Sequence, residues 1–242
     1  MSKKVTLDLL LVHPGGRAAI YQSLGASLAA IEPPFWAGLM ATFVRRNGFS
    51  VEILDTNAEN LGPEEAAEQI KEKAPRLTAV VVYGHNPSAS TQVMPFAGAL
   101  CRALKEKAPD RKILLVGGHA AALPERTLAE EETDFVAGGE GPYTLLDLLR
   151  SFESPLPDFT KVRSLWYREK GGVRNTPPAP LITDLDGEMP EVAWDLLPME
   201  KYRAHNWHCL GEADRQPYAA LYTTLGCPYR CSFCCIQAPF KS

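Results

Sequence analysis

Five short runs of apolar residues divide the first 153 residues, and each is followed by a polar loop and a stretch with helical periodicity. The runs are rich in valine, leucine and isoleucine, which favours strands. The third run is apolar at nearly every position, as expected of a strand that is covered on both faces. Strands that alternate with helices predict an α/β fold with a parallel sheet. The predicted strands span residues 5–12, 51–55, 77–83, 113–116 and 135–136.

Proline residues mark the starts of the intervening helices, because proline is tolerated in the first turn of a helix. One predicted helix follows Pro34, carries apolar side chains at helical spacing and ends near Gly48. Others begin at Pro63 and Pro142. Five strand–helix units indicate a Rossmann-like sheet of the flavodoxin-like type. Ligands of such open sheets bind at the carboxyl ends of the strands.

The pattern changes after residue 153, where frequent prolines break any long helix. Two short β-rich runs flank Glu169-Lys170-Gly171-Gly172 and predict a hairpin. Apolar residues recur further along, so we predict an ordered linker. A strand-like run follows at residues 218–224. The predicted organisation is a first domain over 1–153, a linker with a hairpin over 154–215, and the start of a second domain over 216–242.

Composition and charge narrow the classes of function. The net charge is −4 and the chain has no basic run, which argues against nucleic-acid binding. No apolar run approaches the ~18 residues that a membrane span requires, and the N-terminus lacks a signal-peptide pattern. Four of the six cysteines are crowded together, which suits a reducing compartment. We therefore expect a cytoplasmic protein with no nucleic-acid partner and no membrane span.

The most specific pattern in the chain is a cysteine spacing near its end. Cys227, Cys231 and Cys234 follow C-x3-C-x2-C, so one short loop can bring thiolates to three corners of a four-iron cluster. The fourth iron then stays open for another ligand. Structural zinc is the alternative, but it usually needs a second pair of ligands. The upstream candidates for that pair are His205, His208 and Cys209, at irregular spacing.

The spacing, with Phe233 directly before the last cysteine of the motif, resembles the signature of the radical S-adenosylmethionine (SAM) superfamily. In that superfamily the open iron binds SAM, and the reduced cluster cleaves it to a 5′-deoxyadenosyl radical. The resemblance implies a [4Fe-4S] cluster on the three cysteines, SAM beside Phe233 and a reductant protein for the cluster.

The loops of the predicted sheet extend this resemblance to the whole chain. Residues 116–120 and 138–141 are similar to loops of the cobalamin-binding radical SAM methylase-like proteins. The resemblance implies a cobalamin over the carboxyl edge of a sheet formed by residues 1–153. It also implies methyl transfer from SAM via cobalamin to an unactivated carbon of a small-molecule substrate. The residues expected to contact cobalamin are His13, Gly84, His85, Asn86, Ser88, Gly117, Gly118, His119, Gly139, Glu140 and Gly141.

The cobalt is expected to lack one common ligand. Other cobalamin proteins supply an axial histidine from a D-x-H-x-x-G motif, and no aspartate here is followed by histidine at that spacing. Other interpretations of the loops stay open, because glycines after strands are often only turns and loop histidines are often solvated or capping groups. The dinucleotide fingerprint G-x-G-x-x-G after the first strand and the P-loop are both absent. The second hypothesis is a stand-alone cobalamin- or nucleotide-binding module whose cysteines are vestigial or bind zinc.

The chain departs from the resembled family in its length. A full (β/α)8 barrel takes about 250 residues, and few residues follow Tyr222. We therefore expect residues 218–224 to be the first strand of a radical SAM partial barrel. On this expectation the chain is truncated early in the core and lacks most of the catalytic machinery.

Overall fold

A seven-stranded, mostly parallel sheet runs through the centre of the molecule. The structure is a computed structural model, and it describes residues 6–17, 22, 28–84, 89–206, 215–234 and 236–240. The sheet order is β2-β1-β3-β4-β5-β6-β7, with parallel pairing from β1 to β5 and antiparallel pairing of β6 and β7. The strands are β1 (Leu9–His13), β2 (Val51–Asp55), β3 (Leu77–Val81), β4 (Ile113–Val116), β5 (Phe135–Ala137), β6 (Leu165–Glu169) and β7 (Gly172–Asn175).

Helices cover both faces of the parallel strands. Successive side chains of a strand point to opposite faces, and β1 accordingly divides its residues between two apolar clusters. Leu9 and Leu11 belong to one cluster, while Leu10 and Val12 belong to the other. The helices are α1 (Phe35–Arg46), α2 (Pro63–Lys73), α3 (Ala89–Gln92), α4 (Met94–Lys107), α5 (Gly118–Ala122), α6 (Pro124–Glu130), α7 (Pro142–Ser151), α8 (Leu185–Glu188) and α9 (Gln237–Phe240).

The predicted α/β class and flavodoxin-like order are confirmed, since 2-1-3-4-5 is the order of that sheet type. Helix α1 buries the apolar face expected of it, including Phe35, Leu39 and Phe43. It packs in the same cluster as α7, and α2 and α4 contribute to the cluster on the opposite face. The described part of the chain contains no helix long and apolar enough to cross a membrane.

The predicted hairpin forms and also extends the sheet. Strands β6 and β7 pair through residues 166–169 and 172–175, and β6 pairs with β5 through residues 135–137. The sheet therefore continues across residue 153, where the sequence predicts the end of the first domain. That boundary stays a prediction, but the strand after it completes the same sheet.

The segment that follows the hairpin packs onto α1. A Cβ atom at Gly38 would lie 2.3 Å from Val192 Cγ1, and the Ala193 N–H donates to the Gly38 carbonyl at 3.2 Å. Arg45 holds Asp195 through two hydrogen bonds of 2.9 and 2.6 Å. The apolar anchors of this segment lie in the same cluster as α1; they are Ile182, Met189, Val192, Ala193, Leu197 and Tyr202.

The last of these anchors also makes a buried hydrogen bond. Tyr202 is 0% exposed, and its hydroxyl donates to Asp55 Oδ2 at 2.9 Å. The other carboxylate oxygen accepts from the Asn57 and Ala58 N–H groups, each at 3.0 Å, so Asp55 also closes a local turn. One carboxylate at the end of β2 thus fixes both a local turn and a distant segment.

The strand predicted at residues 218–224 does not form. The structure assigns no strand there, and no described strand lies beside it to pair with its backbone. Leu221 and Tyr222, which gave the run its strand-like composition, are both exposed. Composition alone cannot stabilise a strand, because its N–H and C=O groups need a neighbour.

The Asp55–Tyr202 contact leads to a stability prediction. We expect Tyr202→Phe to lower the free energy of unfolding by about 1–3 kcal/mol, because it leaves a buried carboxylate oxygen without its donor. Urea unfolding followed by circular dichroism measures the change. Tyr229→Phe is the matched control, since Tyr229 is 71% exposed and should shift stability by less than about 0.5 kcal/mol. Equal effects of the two substitutions would contradict the role given to Tyr202.

Candidate cofactor site at the carboxyl edge of the sheet

The loops after β1 and β2 are tied together by one threonine. The hydroxyl of Thr56 donates to the His13 carbonyl at 2.8 Å and accepts from the Gly15 N–H at 2.7 Å. The Thr56 N–H also donates to the His13 carbonyl at 3.1 Å. Since Thr56 is almost fully buried, the loop that begins at His13 has a fixed path at this edge.

The loops after β3 and β4 meet at Gly117. Its φ is +149°, and a Cβ atom there would lie 2.5 Å from the carbonyl carbon and oxygen of Val82. Gly84 is similarly enclosed, because its Cβ would lie 2.3 Å from that of Ala89. Gly118 is buried at the first position of α5. Backbone therefore packs on backbone where β3 and β4 end.

A chain of hydrogen bonds orders the polar residues beside this contact. Ser90 donates to the Val82 carbonyl, and its oxygen accepts from the His119 N–H at 2.8 Å. Nδ1 of His119 lies 3.1 Å from Thr91 Oγ1. Partial burial, and secondarily the charge of Arg126, lower the pKa of His119. The neutral imidazole is therefore favoured at this position.

The loop after β5 is held from two sides. Tyr83 donates its hydroxyl hydrogen to the Glu140 carbonyl at 3.1 Å, and the Glu140 carboxylate accepts from the Ile182 N–H at 2.8 Å. Burial raises the pKa of Glu140. Gly141 has φ +109°, and its Cβ would lie 2.4 Å from Val116 Cγ2. The Glu140 side chain thus binds the segment after the hairpin.

Packing within the fold itself explains why glycine occupies these positions at the edge. We expected them to admit a bulky ligand, but at Gly84, Gly117 and Gly141 the missing side chain is replaced by the protein's own atoms. A cofactor contact at these loops stays a prediction. Three further predicted contacts, His85, Asn86 and Ser88, lie outside the described residues.

Sequence reasoning missed an aromatic group at the same edge. The rings of Trp36 and Tyr83 stack with centroids 4.4 Å apart and planes 18° apart. Phe240 lies against Trp36 at 5.6 Å, and Tyr222 meets Phe35 edge-on at 4.7 Å. The available signal was positional, because Trp36 opens a helix and Tyr83 follows a buried strand, both at the edge where ligands bind.

The end of the chain covers this edge. We call its described residues 220–234 and 236–240 the covering segment. Ala220 and Tyr222 line a small cavity of about 40 Å³ together with His13 and Gly84. Pro239 lies beside residues 139–143, and α9 also contacts α5. The covering segment therefore touches the loops that follow β1, β3, β4 and β5.

The three motif cysteines lie within the covering segment. Cys231 is exposed, and Cys227 and Cys234 are partly exposed, so a metal could reach all three thiols. The Cys234 N–H donates to the Cys231 carbonyl at 3.1 Å, which folds the loop. By contrast, Cys101 is buried in α4, and burial raises the pKa of its thiol. Among the four described cysteines, those of the motif alone have the access that a cluster requires.

The donor set fits an iron–sulfur cluster by its chemistry, since three accessible thiols on one short loop are the usual ligands of one. Within the described ranges, no three His, Cys, Asp or Glu side chains converge on one point as a metal site would require. The three thiols of the motif are thus close together in the sequence, but they do not surround a common point in this structure. Of the zinc candidates, His205 is described, while His208 and Cys209 lie outside the described residues.

An open α/β sheet of this order, with its structured loops gathered at the carboxyl edge, defines a cofactor-binding domain of the flavodoxin-like class. The model of one family, the B12 binding domain, matches residues 21–149. This match spans more than half of the chain, and the chain belongs to that family.

Curated relatives match nearly the whole chain. An uncharacterized methyltransferase, PH0819 of Pyrococcus horikoshii, is 32% identical over 97% of this chain and 46% of its own length. An anaerobic magnesium-protoporphyrin IX monomethyl ester cyclase of Cereibacter sphaeroides is 26% identical over 94% of this chain and 34% of its own length. The chain thus spans between a third and a half of these relatives.

Solved structures share the fold. OxsB, a cobalamin-dependent SAM radical enzyme with aqua-cobalamin and SAM bound, matches with a TM-score of 0.61 and 14% identity, over 79% of this chain and 25% of that one. TsrM is a radical SAM methyltransferase from Kitasatospora setae, solved with cobalamin and a [4Fe-4S] cluster bound. It matches with a TM-score of 0.53 and 17% identity, over 72% of this chain and 29% of that one. At these identities the likeness concerns the fold alone.

The packing at Gly141 can be tested against a glycine with similar backbone geometry. We expect Gly141→Ala to destabilise the protein by about 1–3 kcal/mol more than Gly171→Ala, because overpacking adds to the backbone strain. Gly171 has φ +102° but nothing within 4 Å of its Cβ position. Its substitution therefore measures the cost of backbone strain without overpacking. Urea unfolding of both variants gives the difference. If the two costs were equal, the contact with Val116 would not explain the glycine.

Proposed function

We propose that this chain forms the cobalamin-binding and cluster-binding part of a radical SAM enzyme. The proposed reaction is methyl transfer from SAM via cobalamin to an unactivated carbon of a small molecule. One observation carries the proposal: the cysteine loop lies directly beside the carboxyl edge of a B12-binding fold. SAM bound at the cluster and the cobalamin that would receive its methyl group would then be held by neighbouring parts of one chain.

The contacts between loop and edge are specific. Gly226 adjoins the first cysteine, and its Cβ position lies 3.7 Å from the ring of Phe240. Phe240 lies against Trp36, and Trp36 stacks on Tyr83 at the end of β3. A short path of packed side chains thus links the cysteine motif to the centre of the edge. This proximity supports a shared active region.

The exposure of the cysteine loop suits cluster chemistry. Three thiolates from Cys227, Cys231 and Cys234 would hold three irons of a [4Fe-4S] cluster and leave the fourth for SAM. Phe233, the proposed SAM contact, is 91% exposed. When bound, the cluster and cobalamin supply the electron and the methyl-carrying centre that protein side chains lack. The loop faces solvent, which would also allow a reductant protein to approach it.

Residues of the edge would orient the cobalamin. We propose that the loops containing His13, Gly118 and His119 lie against it, and that no histidine binds the cobalt from below. The D-x-H-x-x-G motif is absent, and Nδ1 of His119 is already next to Thr91 Oγ1. The Pyrococcus relative, named as a methyltransferase, matches 97% of the chain and supports methyl transfer.

The cluster assignment predicts a difference among cysteines. After anaerobic reconstitution with iron and sulfide, Cys231→Ala should reduce bound iron by at least about tenfold, since even outer-shell partners of a metal site are worth 10- to 100-fold. Cys235→Ala should leave iron unchanged, because the motif is complete without it. Cys101→Ala is a second control with a buried thiol. Iron and sulfide analysis measures the result. Equal losses in all three variants, or zinc in place of iron, would favour the alternative of a module with vestigial or zinc-binding cysteines.

The cobalamin assignment is tested on the full chain by titration with hydroxocobalamin, followed by absorbance after gel filtration. We expect one cobalamin per chain. Paramagnetic resonance of the Co(II) form should show no nitrogen splitting that disappears in His13→Ala or His119→Ala. Splitting lost in either variant would identify an axial histidine and overturn that part of the proposal.

A further inference from the structure

The covering segment leaves little room at the carboxyl edge of the sheet. Drug-sized ligands take pockets of about 300–1,000 Å³, and cobalamin is larger than such ligands. The cavity left between the covering segment and the edge is about 40 Å³. Access for the cofactor therefore requires the segment to leave the edge.

Two aromatic side chains hold the covering segment in place. Phe240 is 7% exposed and lies against Trp36 at a ring distance of 5.6 Å. Tyr222 is 42% exposed but packs edge-on against Phe35 at 4.7 Å, and partial burial raises the pKa of its hydroxyl. Both contacts fall on residues at the start of α1. These rings close the part of the edge that lies over β1 and β3.

Much of the covering segment is otherwise exposed. Leu221 is 73% exposed, and Tyr229 and Phe233 are also largely in solvent. Few buried apolar contacts and high exposure are the features of regions that open at low free-energy cost. Besides Phe240 and Tyr222, only the buried Pro239 and the partly buried Leu225 are described as packing the segment against the domain, which suits it to reversible release.

We infer that the covering segment competes with cobalamin for the carboxyl edge, so that cobalamin binding releases Phe240 and Tyr222 and shifts the cysteine loop without separating it from the edge. This inference rests on the proposed function. The stacked pair of Trp36 and Tyr83 then offers the ring face that Phe240 vacates. A site that is closed for part of the time has a lower apparent affinity, in proportion to its open fraction. By reciprocity, whatever holds Phe240 and Tyr222 away from the edge must also favour cobalamin.

The competition is tested by hydroxocobalamin titration of the full chain and its variants. Phe240→Ala and Tyr222→Ala should each lower the apparent dissociation constant, by about 3- to 10-fold from the usual strength of aromatic contacts. Leu221→Ala, in the same segment but exposed, should change it by less than about twofold. Circular dichroism and urea unfolding establish that the variants keep the fold.

A second measurement needs no substitution. Hydrogen exchange of the unmodified chain should become faster over residues 237–240 when hydroxocobalamin is added, while the amides of β3 stay protected. Unchanged or slower exchange over 237–240 would overturn the competition, as would unchanged or weaker cobalamin binding by both aromatic variants.

The titrations distinguish a failure of the competition from a failure of the proposed cobalamin site. If the unmodified chain binds cobalamin and the aromatic variants bind it equally well, the competition is wrong and the proposed cofactor stands. If neither the unmodified chain nor the Phe240 and Tyr222 variants bind cobalamin, the proposed cofactor site is itself wrong.

Discussion

The carboxyl edge depends on the close approach of two backbone segments, at Gly117 and Val82. No side chain fits at Gly117, since a Cβ would lie 2.5 Å from the Val82 carbonyl. The same carbonyl accepts the hydroxyl of Ser90, which in turn accepts the N–H of His119. The ends of β3 and β4, the start of α5 and Ser90 of α3 are thereby fixed relative to one another.

Sequence patterns predicted the layers of this fold well, because burial on two faces leaves a strong signal. The nearly continuous apolar run that became β3 is of this kind, and so is the run at residues 9–12, whose side chains the structure divides between two clusters. Strand pairing leaves a weaker signal, since the partner lies far away in sequence. The hairpin was therefore predicted, but its addition to the edge of the sheet beside β5 was not. Residues 218–224 have the composition of a strand without a partner to pair with.

The candidate site was predicted only in outline. Glycines after strands correctly indicated the edge, but a sequence does not show which atoms fill the space that a glycine leaves. At Gly141 that space is filled by Val116 and Met40. The stack of Trp36 on Tyr83 joins residues 47 positions apart, and only the folded chain brings them together. The motif cysteines could be identified from their spacing alone, because a local loop needs no tertiary partner.

The attachment of Arg215 limits how far the cysteine loop can travel. Its guanidinium donates to the carbonyls of Ala204, Leu28 and Ala29, at 2.9, 3.2 and 3.3 Å. From residue 216 to Cys227 the chain can extend about 40 Å at most. A group on so short a tether has an effective concentration near its docking site in the millimolar range. The cysteine loop can thus shift near the sheet edge and dock again as an intramolecular event, independent of how dilute the protein is.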